Sequence, residues 1–228
     1  MYAKRVKTYY YRLMVFSLLS LFLIPYSFAE RNDSIYNGTQ IKLDILSPIL
    51  IPGVNNWQMQ HYEIAANVRL KQRFYPTLEL GYAGGNAAQG DTISYTGKGG
   101  FFRVGCDINP LKKHPESPHA LLVGVRFGTA AQQYDQTLAN DNGDKMRSYG
   151  AHADCWGEIA IGCQVEIAQV NKTSFYMGWM GRLKCLFTRT GGKTSESGWN
   201  IPDPIYIPGF GPRDTIGWGA NYYLGWTF

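Results

Sequence analysis

Residues 216–228 read Ile-Gly-Trp-Gly-Ala-Asn-Tyr-Tyr-Leu-Gly-Trp-Thr-Phe. Ile216, Trp218, Ala220, Tyr222, Leu224, Trp226 and Phe228 share one parity; Gly217, Gly219, Asn221, Tyr223, Gly225 and Thr227 share the other. A period of two with one apolar side predicts a β-strand with one greasy face. Such a strand invites edge-to-edge aggregation unless something closes over it, and a barrel, which has no edges, does so.

Seven upstream stretches repeat the design: residues 39–46, 60–70, 77–82, 101–108, 121–128, 157–167 and 175–187. In the first, Ile41, Leu43 and Ile45 alternate with Gln40, Lys42 and Asp44; in the last, Met177, Trp179, Leu183 and Cys185 oppose Tyr176, Arg182 and Lys184. The charged residues of these stretches are Lys42, Asp44, Glu63, Arg69, Glu79, Arg103, Asp107, Arg126, Glu158, Glu166, Arg182 and Lys184, and all of them lie opposite the apolar parity. Random placement would scatter them. The pattern predicts an all-β fold, an eight-stranded antiparallel up-and-down transmembrane β-barrel of outer-membrane type.

The connections alternate long and short. Residues 47–59, 83–100, 129–156 and 188–215 are long, whereas 71–76 and 168–174 are short and 109–120 is intermediate. Long extracellular loops and short periplasmic turns have this asymmetry. The intermediate connection holds Pro110, Pro115 and Pro118 with Lys112, Lys113 and His114, and reads as a stiff periplasmic turn and docking point.

Alternation does not say which parity points inward, so a soluble lipocalin-like barrel with a greasy pocket competes with the membrane reading. Aromatics near strand ends on the apolar parity, such as Tyr62, Tyr82, Phe102, Trp179, Phe187, Trp218 and Trp226, match the interfacial girdles of membrane barrels. With that face outside, the lumen receives six cations and six anions, counted from the charged residues named above. An eight-stranded interior is filled by side chains, and buried charges persist there when paired. The expectation is a salt-bridged plug, with a narrow ion or proton path as the alternative.

At the N-terminus, Lys4, Arg5, Lys7 and Arg12 precede an apolar run at residues 13–24 and then Ser27-Phe28-Ala29. This reads as a secretory signal peptide over residues 1–29, cleaved to leave one domain, 30–228. The run is short of the roughly 20 residues that a spanning helix needs. The leader holds four of the 22 basic residues and none of the 17 acidic ones, so the mature balance is 18 against 17 and no nucleic-acid partner is expected. The expected location is the Gram-negative cell outer membrane, with lipid and lipopolysaccharide around the apolar face and the barrel-assembly machinery as the insertion partner.

Sites for chemistry are sparse, and no catalytic residue, cofactor or metal is assigned. Cys106, Cys155, Cys163 and Cys185 lack metal-binding spacing, although Cys155 and Cys185 fall near one another across a hairpin and leave a disulfide open. Ser148, His152 and Asp154 are the candidates for a lipid-modifying activity, without a specific spacing. Asn140-Asp141-Asn142-Gly143-Asp144 has calcium-like composition but reads as a turn. The stretch above background is 201–212, Ile-Pro-Asp-Pro-Ile-Tyr-Ile-Pro-Gly-Phe-Gly-Pro. Its prolines fix a shape, and Ile205, Tyr206, Ile207, Pro208 and Phe210 are apolar groups outside any predicted strand. They read either as a partner surface or as a loop folded back over the barrel mouth.

Phe102-Arg103-Val104-Gly105 with Asp107, Leu111-Lys112-Lys113-His114-Pro115, Val123 to Phe127 with Gly128, Tyr206 to Gly211, and the terminal strand resemble a family of small Bacteroidetes outer-membrane β-barrel proteins of unknown function. Ending on Trp226 and Phe228 also resembles the C-terminal insertion signal of bacterial outer-membrane barrels. The family resemblance implies an integral barrel without established catalytic residues. It further implies a non-enzymatic role as an accessory subunit of a larger outer-membrane assembly such as the barrel-assembly machinery; from their residues, loop 201–212 and turn 109–119 are the surfaces expected to meet partner subunits.

Overall fold

The first and last strands of the chain close the molecule on itself. The computed structural model describes residues 36–45, 47, 57–71, 73–89, 93–111, 119–139, 145–170, 173–188, 193–194, 200–201 and 204–227. The expected signal peptide, Phe228, the turn expected at 140–144 and most of the turn expected at 109–120 lie outside them. The long strands are β1 (Tyr36–Asp44), β2 (Trp57–Leu70), β3 (Phe74–Gln89), β4 (Ile93–Ile108), β5 (Ala120–Ala139), β6 (Lys145–Val170), β7 (Thr173–Leu186) and β12 (Ile216–Thr227). Between the last two come four two-residue strands, β8 (Lys193–Thr194), β9 (Asn200–Ile201), β10 (Tyr206–Ile207) and β11 (Gly211–Pro212). The eight long strands form one closed barrel in the order β1-β12-β7-β6-β5-β4-β3-β2. Closure runs from Gln40 opposite Thr227 to Asp44 opposite Tyr223, and β12 pairs along its whole length with β7.

The apolar parity points outward. Tyr62, Ile64, Leu80, Val125, Ile159, Trp179, Leu183 and Trp218 are exposed, while Lys42, Glu63, Glu79, Arg103, Asp107, Arg126, Glu158, Arg182 and Lys184 are buried. The interior is therefore charged, and it is not the greasy pocket of a lipocalin-like barrel. Side chains taper into one another because small inward residues face large ones. A Cβ on Gly128 would lie 2.3 Å from the Trp156 ring, and one on Gly81 would lie 2.1 Å from Phe101.

Two expected loops are mostly strand. Residues 83–100 and 129–156 continue the β3–β4 and β5–β6 ladders as far as Gln89 opposite Ile93 and Ala139 opposite Lys145. Backbone hydrogen bonds do not require a polarity contrast between the two faces of a strand, and here there is none: Gln132, Gln133, Asp135, Gln136 and Arg147 put polar groups on both parities. The exposed Arg147 bonds the Asp135 carboxylate across this wall through Nε at 3.0 Å, and that bond holds the carboxyl below its usual range. The barrel thus has a tall end, where these hairpins rise, and a short-turn end, where β2 meets β3 and β6 meets β7.

The lumen is stacked in three layers. At the short-turn end Tyr75, Tyr176, Tyr223, Leu122, Met180, Ala120 and Ala160 pack together. A charged layer crosses the middle. At the tall end Phe101, Ala130 and Trp156 surround Ile207 and Phe210, with Tyr206 against Ala83 and Tyr95 beside them.

Candidate functional site

Three arginines and four carboxylates make the middle layer. Glu79 on β3 is its hub. Its Oε2 lies 2.8 Å from Arg103 Nη1 and 2.9 Å from Arg182 Nη1, and its Oε1 lies 3.1 Å from Arg126 Nε. Arg126 continues to Asp107 at 2.7 Å, and Arg103 reaches Glu63 at 2.9 Å and Glu158 at 3.0 Å. Arg182 adds Glu158 at 3.0 Å and Glu63 at 3.3 Å, and its Nε donates to Asn221 Oδ1 at 2.7 Å. Glu79 and Arg103 are register neighbours on adjacent strands. Arg103 to Glu158 and Arg182 to Glu63 join strands that are not neighbours, so these contacts span the lumen. With Arg103 1% and Glu79 2% exposed, these ion pairs are buried from bulk solvent. Desolvated charges of this kind are tolerable when paired: six of the seven have two or more partners, and Asp107 has one, Arg126.

The remaining predicted lumen charges play other parts. Asp44 accepts from Asn221 Nδ2 at 2.7 Å and bonds the Ser47 hydroxyl. Lys184 donates to the carbonyls of Gly209 at 2.8 Å and Phe210 at 3.0 Å. Lys42 lies over the Tyr223 ring, 4.8 Å from its centre. Arg69 and Glu166 are half-buried near the short-turn end, where the Glu166 amide donates to His119 Nδ1 at 3.2 Å. Asn221 and Trp156 belong to the layer although neither is charged: the Trp156 indole donates to Glu158 Oε1 at 2.6 Å. A polar residue at a lumen-facing position was visible in the alternation for Asn221. Trp156 fell in a stretch expected to be loop.

Of the two fates open to loop 201–212, the described part takes the inward one. Tyr206, Ile207, Pro208, Gly209 and Phe210 are all buried in the tall end of the barrel. Ile207 is 0% and Phe210 1% exposed, so these side chains form a plug in the mouth of the barrel. The physical reason lies in the wall: Phe101 and Trp156 offer aromatic faces, and Phe210 meets Trp156 edge-on with ring centres 5.8 Å apart. The turn requires glycine at 209, where φ is +75° and a Cβ would stand 2.5 Å from the Phe101 ring. The Gly209 carbonyl also accepts from Arg103 Nη2 at 2.8 Å, which ties the plug to the charged layer. Just past it, Arg213 Nη1 reaches both oxygens of Asp154 at 3.1 Å, and Thr188 donates to Asp154 at 2.8 Å. Burial raises the Tyr206 phenol to about 12.

The residues considered for chemistry do not assemble. Ser148 lies 3.5 Å from the Tyr134 hydroxyl, while His152 contacts Asp154 at 3.3 Å and Arg213 at 3.2 Å. Ser148 and His152 are four residues apart on one strand, roughly 13 Å at about 3.3 Å per residue, which is beyond proton-transfer reach. Cys155 and Cys185 are free thiols, with Cys185 opposite Gly157. Asp44, His61 and Glu63 bring three donor atoms within 4.8 Å of one another. That set fits a metal poorly, because Arg103, Arg182 and the Asn221 amide already occupy the Glu63 oxygens.

A comparison with curated proteins finds no match. The family model described as a domain of unknown function, DUF6048, matches residues 7–228, nearly the entire chain, and the protein belongs to that family.

Proposed function

We propose that this protein is an integral outer-membrane β-barrel with a structural and interaction role. The observation that carries the reading is the division of faces: large apolar side chains outward around the ring, charges inward. Each outward Leu, Ile or Phe left in water would forgo about 1.5–3 kcal/mol, and a surrounding bilayer removes that penalty for all of them. Among the described residues no helix is long and apolar enough to cross a membrane, so a crossing by these residues uses strands. The resemblance to Bacteroidetes outer-membrane barrels, the signal peptide and insertion through the barrel-assembly machinery belong to the same reading. Fractionation tests it: the chain stays with the outer membrane after urea washing and changes gel mobility on boiling, and recovery in the soluble fraction would sink the idea.

A sealed lumen supports a non-conducting, non-enzymatic role over a narrow pore, since the tyrosine layer, the charged layer and the plug each fill the interior. Planar-bilayer recordings are expected to show no conductance above baseline. With the loop engaged as a plug, subunit contacts in a larger outer-membrane complex fall to the outer wall and to the turn at 109–119, which begins with the exposed Pro110 and Leu111. Crosslinked co-purification from native membranes tests this part; recovery of the monomer alone counts against it.

A further inference from the structure

Between the charged layer and the tyrosine layer lies an interior cavity of about 20 Å³, whose wall includes Lys42, Asp44, Glu63, Ala65, Thr77 and Tyr223. Lys42 is 5% exposed, and among the described residues the contact recorded for its ammonium is the Tyr223 ring face, 4.8 Å away. Its counterpart above the charged layer, Lys184, has two carbonyl oxygens at 2.8 and 3.0 Å. A ring face alone is a poor exchange for the hydration that a buried ammonium gives up. We infer that the cavity is a solvent site holding one ordered water, which accepts from Lys42 Nζ and donates to Thr77 Oγ1 and to a carboxylate oxygen of Asp44 or Glu63.

Three features fit this occupant. The volume matches, since about 10–15 Å³ admits one water. The hydrogen-bond roles match, because the Thr77 hydroxyl spends its proton on the Tyr75 carbonyl at 2.8 Å and keeps lone pairs to accept with. The charge matches as well. Lys42, Arg126 and Arg182 face Asp44, Glu63 and Glu79 around the wall, so an ion of either sign would meet as many like charges as unlike ones, and a neutral dipole meets no such opposition.

The test combines crystallography with a sign. A high-resolution structure of the detergent-solubilised protein is expected to show one water peak within hydrogen-bond distance of Lys42 Nζ. An anomalous peak there after a bromide soak, or a Lys42 side chain bonded directly to a carboxylate with no density between, overturns the proposal. In Ala65→Val, two added carbons enter the cavity. A dry void would gain packing and the melting temperature would rise; a hydrated one loses the water and strands Lys42, lowering it by several degrees. The double variant Lys42→Met with Ala65→Val separates this from simple crowding. Without an ammonium to strand, the Val substitution no longer lowers the melting temperature, whereas an unchanged drop in that background overturns the proposal.

Discussion

The middle of the barrel and its tall end are both occupied by side chains, but they are held by opposite means. The ion pairs of the charged layer draw on six strands, β2 to β7, with contacts that cross the lumen. The plug is one local turn that lies on aromatic faces and is pinned by two cations through its own carbonyls. The first is a fastening of the ring itself, because its cross-lumen pairs, Arg103 with Glu158 and Arg182 with Glu63, approach only when the barrel is closed. The second is an occupant of a ring already formed. Damage to the layer should therefore cost the whole fold, and damage to the plug should cost only the mouth.

The largest effect is expected at Arg182. In Arg182→Met the side chain keeps its bulk while Glu63, Glu79 and Glu158 lose a shared cation, and breaking a buried pair from one side costs about 3–5 kcal/mol. The expected outcome is a lower urea midpoint and a smaller heat-modifiable fraction, with every spectroscopic probe shifted together. A variant that unfolds at the wild-type midpoint would dissolve the distinction between fastening and occupant.

Phe210→Ala sharpens the contrast from the other side. Removing a fully buried ring costs about 3–5 kcal/mol, but here the loss falls on the plug. Proteolysis within 205–213 should accelerate while the barrel midpoint moves much less than in Arg182→Met. Lys184→Met comes next, at about 1.5–3 kcal/mol for hydrogen bonds from a charged donor, and again the loop should become accessible before the ring opens. Equal shifts of loop and ring in these two variants would mean that the plug is part of the fastening after all.

The same contrast explains what the sequence could reveal. Parity marks Glu63, Glu79, Arg103, Asp107, Arg126, Glu158 and Arg182 as facing one way, because a strand has a period of two and one side meets a different medium. It carries no information on which cation meets which anion across the lumen, since Arg103 reaches Glu158 through the barrel's curvature and not through strand adjacency. The tall hairpins were illegible for a related reason: at Gln132, Gln133, Asp135 and Gln136 both faces carry polar groups, so the alternation vanishes while the ladder continues. For the loop, composition announced order through its prolines. Its direction depended on Phe101 and Trp156, which arrive from two distant strands, and on Lys184 choosing carbonyls over a carboxylate.

The last expected effect, of the same order as that of Lys184→Met, is a pH dependence confined to the plug. Burial raises the Tyr206 phenol from its ordinary 10.0 to about 12 in the seated loop. The sign follows from which state ionises first. Below pH 10 the phenol is neutral whether the loop is seated or released, and its burial contributes in full. Between pH 10 and about 12 the released loop loses its proton while the seated one does not, so release gains with each step; above about 12 the contribution is gone. The amount is on the order of 2–3 kcal/mol for a shift of that size. Protease sensitivity at 205–213 should rise across this window with the ring still closed, and Tyr206→Phe should flatten the rise because a phenyl ring has no proton to lose. A ring that opens over the same interval as the loop would show that mouth and middle are coupled more tightly than their separate fastenings imply.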